Sequence, residues 1–489
     1  MRFGCGRLLR VLNVIGLIGL LGCSESTPGK NRIAAPPFRG QEVDLVVPKS
    51  MNLQAIWEVM IQEWSSQSGA TAQFRPYDDT VENIEKSFPE ANSGGSFVLF
   101  PLNRICEVDK SLTSLVSKDG LLDARDIFKG LRERILSRDR QMVACPISVP
   151  VIVCYYRSDL LRAANRVAPE TWDDYLDLVE TVDRWAPGLA AVEPLSPEFR
   201  ATTFFARSLS FCKHPENYSV WFDVDTGKPT LNTPGFEKAL DIAEQTWKRL
   251  SPESLKYSPA ECRQLVLTGK AAITLSFESS EAELSTKIEQ DNATNLQRVD
   301  GIKVGICRLP GSRTVFNRNS KKWDAMPNKS VHAPAFCGFA GLIAGVILPE
   351  NHSDDSAAIN LLASLTSPAE FDRAFATLPK NPCRESQLVQ AAHWYGPELS
   401  SEEASQYCDA VAQSLRDTQV VFELPVNGAD EFRKAVSTAL EPLLRGEMSS
   451  RQALDAMQLA FETIVERLGA DVVRDSYRRG LGMSASLKK

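Results

Sequence analysis

Residues 155–182 read YYRSDLLRAANRVAPETWDDYLDLVETV. Tyr155 and Tyr156 lie in a continuous apolar run that starts at Cys145, which reads as a buried strand. The run passes directly into a short helical segment ending near Asn165, and Pro169 marks the loop that follows. Thr171 then opens a second helix. Its hydroxyl can accept from the backbone N–H three residues on, and the carboxylate of Asp174 can reach back, a reciprocal cap. A strand, a helix, a proline loop and a capped helix make one unit of a layered α/β protein.

The same alternation extends in both directions. VDLVVP (43–48) is a short strand, and after it Ile56, Val59, Met60, Glu63 and Trp64 keep a helical period until Gly69. A strand over 70–79, a short helix over 81–88, a strand over 96–101 and a helix over 110–121 follow. Further on come a helix over 235–250, then helix, glycine turn and strand over 261–280, a buried strand over 339–348 and two helices over 353–376. The end of the chain is helical over 429–469, divided at Arg445 and Gly446. This pattern implies sheets that are mainly parallel, with helices on their faces. Ligands of such sheets meet the loops at the carboxyl ends of strands. Those loops hold Lys49, Ser50 and Asn52 after the first strand, and Asn103 and Arg104 after the third.

The chain opens with Arg2, Arg7 and Arg10 ahead of an apolar stretch of about eleven residues, too short for a bilayer that needs roughly 20. LLGC (20–23) resembles the lipobox of bacterial lipoproteins, so the expectation is a signal over 1–22, cleavage before Cys23 and acylation of its thiol. Residues 23–40 hold Pro28, Pro36 and Pro37 without a periodic apolar pattern and read as a flexible tether. This would place the protein in the cell envelope, on the periplasmic or extracellular side, with its N-terminal lipid as the membrane attachment.

Past the tether roughly 450 residues remain, enough for two domains, with 43% hydrophobic and 24% charged residues in the whole chain, an ordinary globular composition. The net charge of −7 argues against a nucleic-acid partner, which needs a clustered basic face. Eleven cysteines form no Cys-x-x-Cys pair, and His214, His332, His352 and His393 lie far apart, so no metal site is expected. Cys145, Cys154, Cys307 and Cys337 sit in apolar strand contexts that suit a buried thiol. Cys212, Cys262, Cys383 and Cys408 are the better disulfide candidates, with no pairing legible.

With these segments in order, a resemblance stands out. YYRSDLLRAANRVAPETWDDYLDLVETV is similar to the Tyr-Tyr-Asn-Lys-Asp-Leu and Thr-Trp-Asp-Glu segments of bacterial extracellular solute-binding proteins of the maltose and oligosaccharide type. GKPTLNTPGFEKAL (227–240), LVLTGKAAITL (265–275), LIAGVILPENHSDDSAAINLLASLTSP (342–368) and LLRGEMSSRQALDAMQ (443–458) resemble further family stretches, in the family's order. Tyr-Arg-Ser-Asp in place of Tyr-Asn-Lys-Asp, and a first loop PKSMN without the usual glycines, are departures. The resemblance implies an α/β fold of two lobes, the type II periplasmic-binding-protein arrangement, joined by a multi-strand hinge. Residues 41–148 and 339–382 would form the first lobe, 149–338 and 383–480 the second, and 481–489 a tail. Crossings are expected near 144–150, 336–341 and 379–383.

It also implies a function: capture of a small solute, a sugar or oligosaccharide, by clamshell closure, with ABC permease subunits as partners, no cofactor and a monomer as the working unit. A membrane sensor is the other partner class. The matching ligand positions are Phe100, Asn103 and Arg104 on the first lobe, Glu193, Phe199 and Arg200 on a second-lobe loop, Phe277 and Glu278 after a second-lobe strand, and Phe432 and Arg433 on a late helix. Trp394 and Tyr395 could stack on a sugar. Gly-x-Ser-x-Gly, His-Glu-x-x-His and the phosphate-binding Gly-x-x-x-x-Gly-Lys-Ser/Thr motifs are absent from the sequence, which leaves hydrolysis as the unfavoured alternative. DVDTG (223–227) lacks the later ligands of a calcium loop and reads as a tight turn.

Overall fold

The computed structural model describes residues 36–483 except 52, 82, 90–94, 109–110, 116–117, 119, 139–140, 278–299, 350–352, 376–380 and 391–398. The chain begins with β1 (Glu42–Pro48), α1 (Gln54–Ser68), β2 (Thr71–Tyr77), β3 (Ser96–Pro101) and β4 (Ala144–Ser148). It continues with β5 (Val153–Arg157), α2 (Trp172–Glu180), β6 (Ala190–Ala191), α3 (Arg200–Cys212), α4 (Pro234–Trp247), α5 (Pro259–Leu267), β7 (Ala271–Ser276) and β8 (Val304–Arg308). After β9 (Phe336–Cys337) come β10 (Leu342–Ile347), α6 (Ser356–Thr366), α7 (Ser401–Arg416), β11 (Val421–Phe422), α8 (Ala429–Leu444), α9 (Ser450–Leu468) and α10 (Ala470–Gly480).

Local chemistry sets many of these boundaries. Gly69, at φ 77°, ends α1 in the left-handed conformation and donates to the Ser65 carbonyl. Thr171 and Asp174 form the reciprocal cap of α2. Ser258 with Glu261, Ser400 with Glu403 and Ser449 with Gln452 do the same for α5, α7 and α9. In the 223–227 turn, the Asp223 carboxylate accepts from the backbone N–H of Asp225 and Thr226, so its lone pairs are used inside the turn.

Two main sheets result. The first has the order β2-β1-β3-β10-β4, with β1 parallel to β2 and β3 and β10 antiparallel to both its neighbours. The second has the order β8-β5-β7-β6, with β5 antiparallel to β7 and β8 and only β6 parallel to β7. Both sheets are therefore mixed, where the alternation pointed to mainly parallel ones. The reason lies in the connections, since a strand that enters a sheet without a crossover helix is not held to a parallel course. The apolar run 145–156, read as one strand, is two strands in different sheets, and Pro150, which cannot donate to a ladder, sits in the link between them.

At 338–341 the chain passes back. Gly338 and Gly341 have φ of 92° and 115°, and a Cβ on Gly341 would stand 2.6 Å from the Ser148 carbonyl oxygen. Both the positive φ and the close approach demand glycine. Near the expected third crossing, Asn381 donates to Ser148 Oγ at 3.0 Å and accepts from the Tyr407 hydroxyl at 2.7 Å. Beyond the boundary expected at 383, Arg384 still reaches the Leu122 and Asp123 carbonyls, so the chain remains on the first lobe for several more residues.

The helix expected over 110–121 is absent among its described residues. Thr113 N–H donates to Val346 O at 2.8 Å and Leu115 N–H to Met142 O at 2.7 Å. Sheet-edge bonds thus claim the donors that a helix would have used.

Burial follows the two-residue period of the strands. In β5, Val153 and Tyr155 join a core that runs from β1, β3 and β10 on through α5, β8 and α7, whereas Cys154 joins the core under α2, α3 and α4. The nine described cysteines are free thiols. Cys212, Cys262, Cys383 and Cys408 are buried separately rather than bridged.

Inside the second core lies an ion pair with both side chains at 0% exposure: Arg207 Nη2 donates to Glu193 Oε1 at 2.6 Å. Trp247 Nε1 donates to the other carboxylate oxygen at 2.9 Å, and the Arg207 guanidinium stands 4.5 Å from the Trp172 ring centroid. Glu193 was expected on a ligand loop, but its oxygens face inward and are already engaged. Removing one partner leaves the other charge buried and unpaired, which costs about 3–5 kcal/mol. Arg207→Met should therefore lower the unfolding free energy in urea by about that much, and Arg207→Met with Glu193→Gln should recover part of it. A loss below about 1 kcal/mol for the single variant would mean that water reaches the carboxylate.

Candidate functional site

The loops at the carboxyl ends of β1, β2 and β3 are tied into one rim. Ser50, in the turn after β1, donates through N–H and Oγ to the Asp79 carboxylate after β2, at 3.3 and 2.6 Å. Arg104, in the turn after β3, donates to the Val81 carbonyl at 2.7 Å and pairs with Glu107 at 2.5 Å. Glu107 in turn accepts from the backbone N–H of Ile84 at 2.9 Å. Burial raises the Glu107 pKa, and the Ile84 N–H and the Arg104 charge offset only part of that. Lys49 and Ser50 are exposed, and Asn103 and Arg104 half-buried. Asn52 lies outside the described residues.

Opposite this rim stands the N-terminus of α8. Asp430, largely exposed, approaches Arg104 with 3.8 Å between Nη1 and Oδ2, a contact between residues of the two lobes. Behind Asp430, Arg433 donates to it at 2.5 Å and to the buried Glu423 at 3.2 Å. Burial disfavours the Arg433 charge, but Glu423 first and then Asp430 outweigh this and leave its pKa raised. Arg104, Asp430, Arg433 and Glu423 thus form one charged chain across the space between the lobes.

Beside it runs an aromatic row. Phe277, at the end of β7, lies 6.2 Å from Phe199 and 4.7 Å from Phe339 between ring centroids. Phe339 stacks at 5.5 Å on the buried Phe336. Phe199 and Phe339 are half-buried, so each keeps part of a ring for another partner, whereas Phe277, expected at the ligand, is 3% exposed and backs these rings from the core. The row abuts the first-lobe rim through the crossing strand, because Leu102 N–H donates to Gly341 O at 2.9 Å.

Other expected positions are interior. Phe100 is fully buried in β3, paired with Ile343 of β10. Phe432 is fully buried against Phe222 and Phe461. Arg200 is buried and donates to Ser437 Oγ at 2.9 Å. For Phe100 the strand-end position was right and the facing wrong, since its side chain points into the core rather than out of the loop. Phe432 precedes the residue that does face the rim, Arg433. Glu278, Trp394 and Tyr395 lie outside the described residues. Sequence reasoning missed Asp79, Glu107, Phe339, Glu423 and Asp430. Asp430 could have been found as an acidic first-turn residue of a helix; Glu423 carried no signal.

A separate groove of about 840 Å³ lies along β8 and α7 and shares no residue with this rim or row. Among the described residues no group of three or more His, Cys, Asp or Glu is placed to hold a metal ion.

The rim and row suit a ligand that offers both hydroxyls and C–H faces. Carboxylates and amides bridge hydroxyls, and aromatic faces pack on apolar patches.

The chain shares its fold with solved solute-binding proteins. The sugar-binding protein MalE of Xanthomonas citri superposes with a TM-score of 0.61 at 17% identity, covering 87% of this chain and 98% of its own. The cyclic alpha-maltosyl-1,6-maltose binding protein of Arthrobacter globiformis gives 0.58 at 15%, covering 87% and 99%. A solute-binding protein of Agrobacterium radiobacter K84, solved with ribitol, gives 0.56 at 17%, covering 88% and 100%. No curated protein matches the sequence. The family model described as bacterial extracellular solute-binding protein matches residues 60–394, more than half of the chain. The expected two-lobe α/β fold is thereby borne out, and the chain belongs to the bacterial extracellular solute-binding protein family, a family of binding proteins rather than enzymes.

Proposed function

We propose that the protein captures a small polyhydroxylated solute, a sugar, oligosaccharide or polyol, between its lobes and delivers it to the permease of an ABC importer. The observation that carries this reading is the row Phe199, Phe277 and Phe339 beside the charged chain Arg104, Asp430 and Arg433. One neighbour of this fold was solved with ribitol, another is named for cyclic alpha-maltosyl-1,6-maltose and a third as sugar-binding, which supports the ligand class. The lobes would be 41–148 with 339–382 and 149–338 with 383–480, apart from the first-lobe docking of Arg384.

In this reading Lys49, Ser50, Asn103 and Arg104 contribute from the first lobe, and Phe199, Glu278 and Arg433 from the second, with Phe339 and Asp430 added and Phe277 backing the two half-buried rings from the core. Ligand contacts both walls only when the lobes are together, so its differential affinity for that state drives closure. The monomer is the working unit, tethered outside the cytoplasm by a lipid on Cys23.

Titration calorimetry against oligosaccharides, polyols and sugar phosphates should reveal a binder that is recovered chemically unchanged. Appearance of a product during incubation with pure protein would sink the binder reading. Phe339→Ala should weaken that ligand about tenfold or more, which is ~1.4 kcal/mol, with little change in the apo unfolding midpoint, because the ring is half-exposed. If the midpoint falls while affinity holds, Phe339 is packing rather than site.

Mass analysis of the protein from membranes should find Cys23 at the N-terminus with its thioether lipid, and Cys23→Ala should appear in the soluble fraction. An unmodified N-terminus elsewhere rules the anchor out.

A further inference from the structure

The edge strand β8 pairs antiparallel with β5, and in that register Cys307 stands directly opposite Cys154. Which of the two antiparallel pair types this is follows from the neighbours. The N–H groups of Val304 and Ile306 point away from β5, to Glu403 and Gln406 of α7, so the alternate residues Gly305 and Cys307 turn their backbone toward it. Cys154 and Cys307 are therefore a hydrogen-bonded pair, with Cα atoms about 5.5 Å apart, inside the roughly 4.4–6.8 Å range a disulfide spans, and with Cβ atoms at the wide end of cross-strand spacing, so closing the bond draws the two strands together locally. Opposite residues in a sheet share a face, so both thiols point to the same side of the second sheet, with Cys307 Sγ 4.0 Å from the Pro169 carbonyl.

Access is one-sided. Cys154 is fully buried, whereas Cys307 is partly exposed and lines the groove of about 840 Å³ along β8 and α7. Arg308, Arg313 and Lys329 line the same groove, with Glu170 and Asp409, leaving cations in excess. Arg308 donates to the Ala333 carbonyl, while its buried Nε has no hydrogen-bond partner. A groove of this volume, within the ~300–1,000 Å³ of ligand sites, admits a small anionic peptide disulfide to Cys307.

We propose that Cys154 and Cys307 form a cross-strand disulfide by exchange with a peptide or protein disulfide of the envelope, where such bonds persist. The Cys307 thiolate attacks one sulfur of the reagent, forming a mixed disulfide and releasing one thiol, which keeps the proton Cys307 gave up. The Cys154 thiolate then attacks Cys307 Sγ and displaces the second thiol, which takes the Cys154 proton. Two electrons pass from the cysteine pair to the reagent disulfide, and nothing else is consumed. Burial first, and then the neighbouring Cys307 thiol, push the Cys154 thiol up, and the partly exposed position of Cys307 makes it the first nucleophile. The bond would fasten β8, and with it the α7 contacts at Val304 and Ile306, to the interior of the second sheet.

Oxidised glutathione is the probe, applied to the full reduced chain under native conditions, followed by acid quench, alkylation and non-reducing peptide mapping by mass. The wild type should yield one cross-linked peptide joining Cys154 and Cys307. Cys154→Ser should stop at glutathione on Cys307, Cys307→Ser should leave Cys154 a free thiol, and Cys212→Ser should behave as wild type. The proposal fails if wild-type Cys154 and Cys307 are both recovered alkylated, if Cys307 retains glutathione in the wild type, or if it links to another cysteine. The wild-type map decides the matter even should the Cys154 variant not fold.

Discussion

The turn that carries Asn103 and Arg104 depends on one close backbone approach. Gly341 lies against the Ser148 carbonyl where two chain segments pass between the lobes, with room for no Cβ. Its own carbonyl accepts from Leu102, which fixes the turn bearing Asn103 and Arg104. A side chain here would push the crossing strands apart and shift that turn with them. Because Phe339 is two residues away on the same crossing segment, a single backbone contact sets the spacing between a first-lobe cation and a second-lobe aromatic row. Hinges of this kind absorb dihedral change at a few residues while packed cores stay fixed, and the glycines at 338 and 341 supply the needed freedom.

The two lobes solve different packing problems. In the first, Trp57 of α1 packs edge-on against Phe97 and Phe375 and donates to the Ala374 carbonyl at 2.7 Å, which ties the helix to the sheet and to the segment after α6. In the second, the Glu193–Arg207 pair is sealed against the indoles of Trp172 on α2 and Trp247 on α4. Such a pair is weak evidence for stability in itself, but its directional bonds specify one arrangement of β6, α3 and α4. The loop from Glu193 to Phe199, whose last ring joins the ligand row, is thereby held at its buried end. Structure at the site is inherited from charge placement in the core.

Family membership accounts for the absence of any demand for catalytic groups at the rim. What binding requires is contact with both walls in one state of the lobes. The Arg104–Asp430 approach, at 3.8 Å with Asp430 well exposed, is weak in water by the usual measure of surface pairs. In the proposed closure such a contact can be broken and remade at little cost. The Arg433–Glu423 pair behind it is buried and does not share that role.

The sequence by itself determined the α/β alternation, most elements and their caps, because periodicity, glycine stops and Thr171–Asp174 type boxes act within a few residues; the two-lobe class came from the resemblance of its segments to a known family. Strand-end position brought Ser50 and Arg104 into consideration, and the resemblance added Phe199, Phe277 and Arg433. Only the tertiary structure decided which of the named residues faces outward. Phe100 and Phe432 are one residue or one pleat away from the rim, and a one-residue change of phase moves a side chain to the other face. Likewise the break of the 145–156 run into two sheets, the loss of a helix after 110 to sheet-edge bonds, and the meeting of Cys154 with Cys307 across more than half the second lobe all arise from long-range pairing. No local signal encodes such pairing, because the energy that selects it comes from partners distant in the chain.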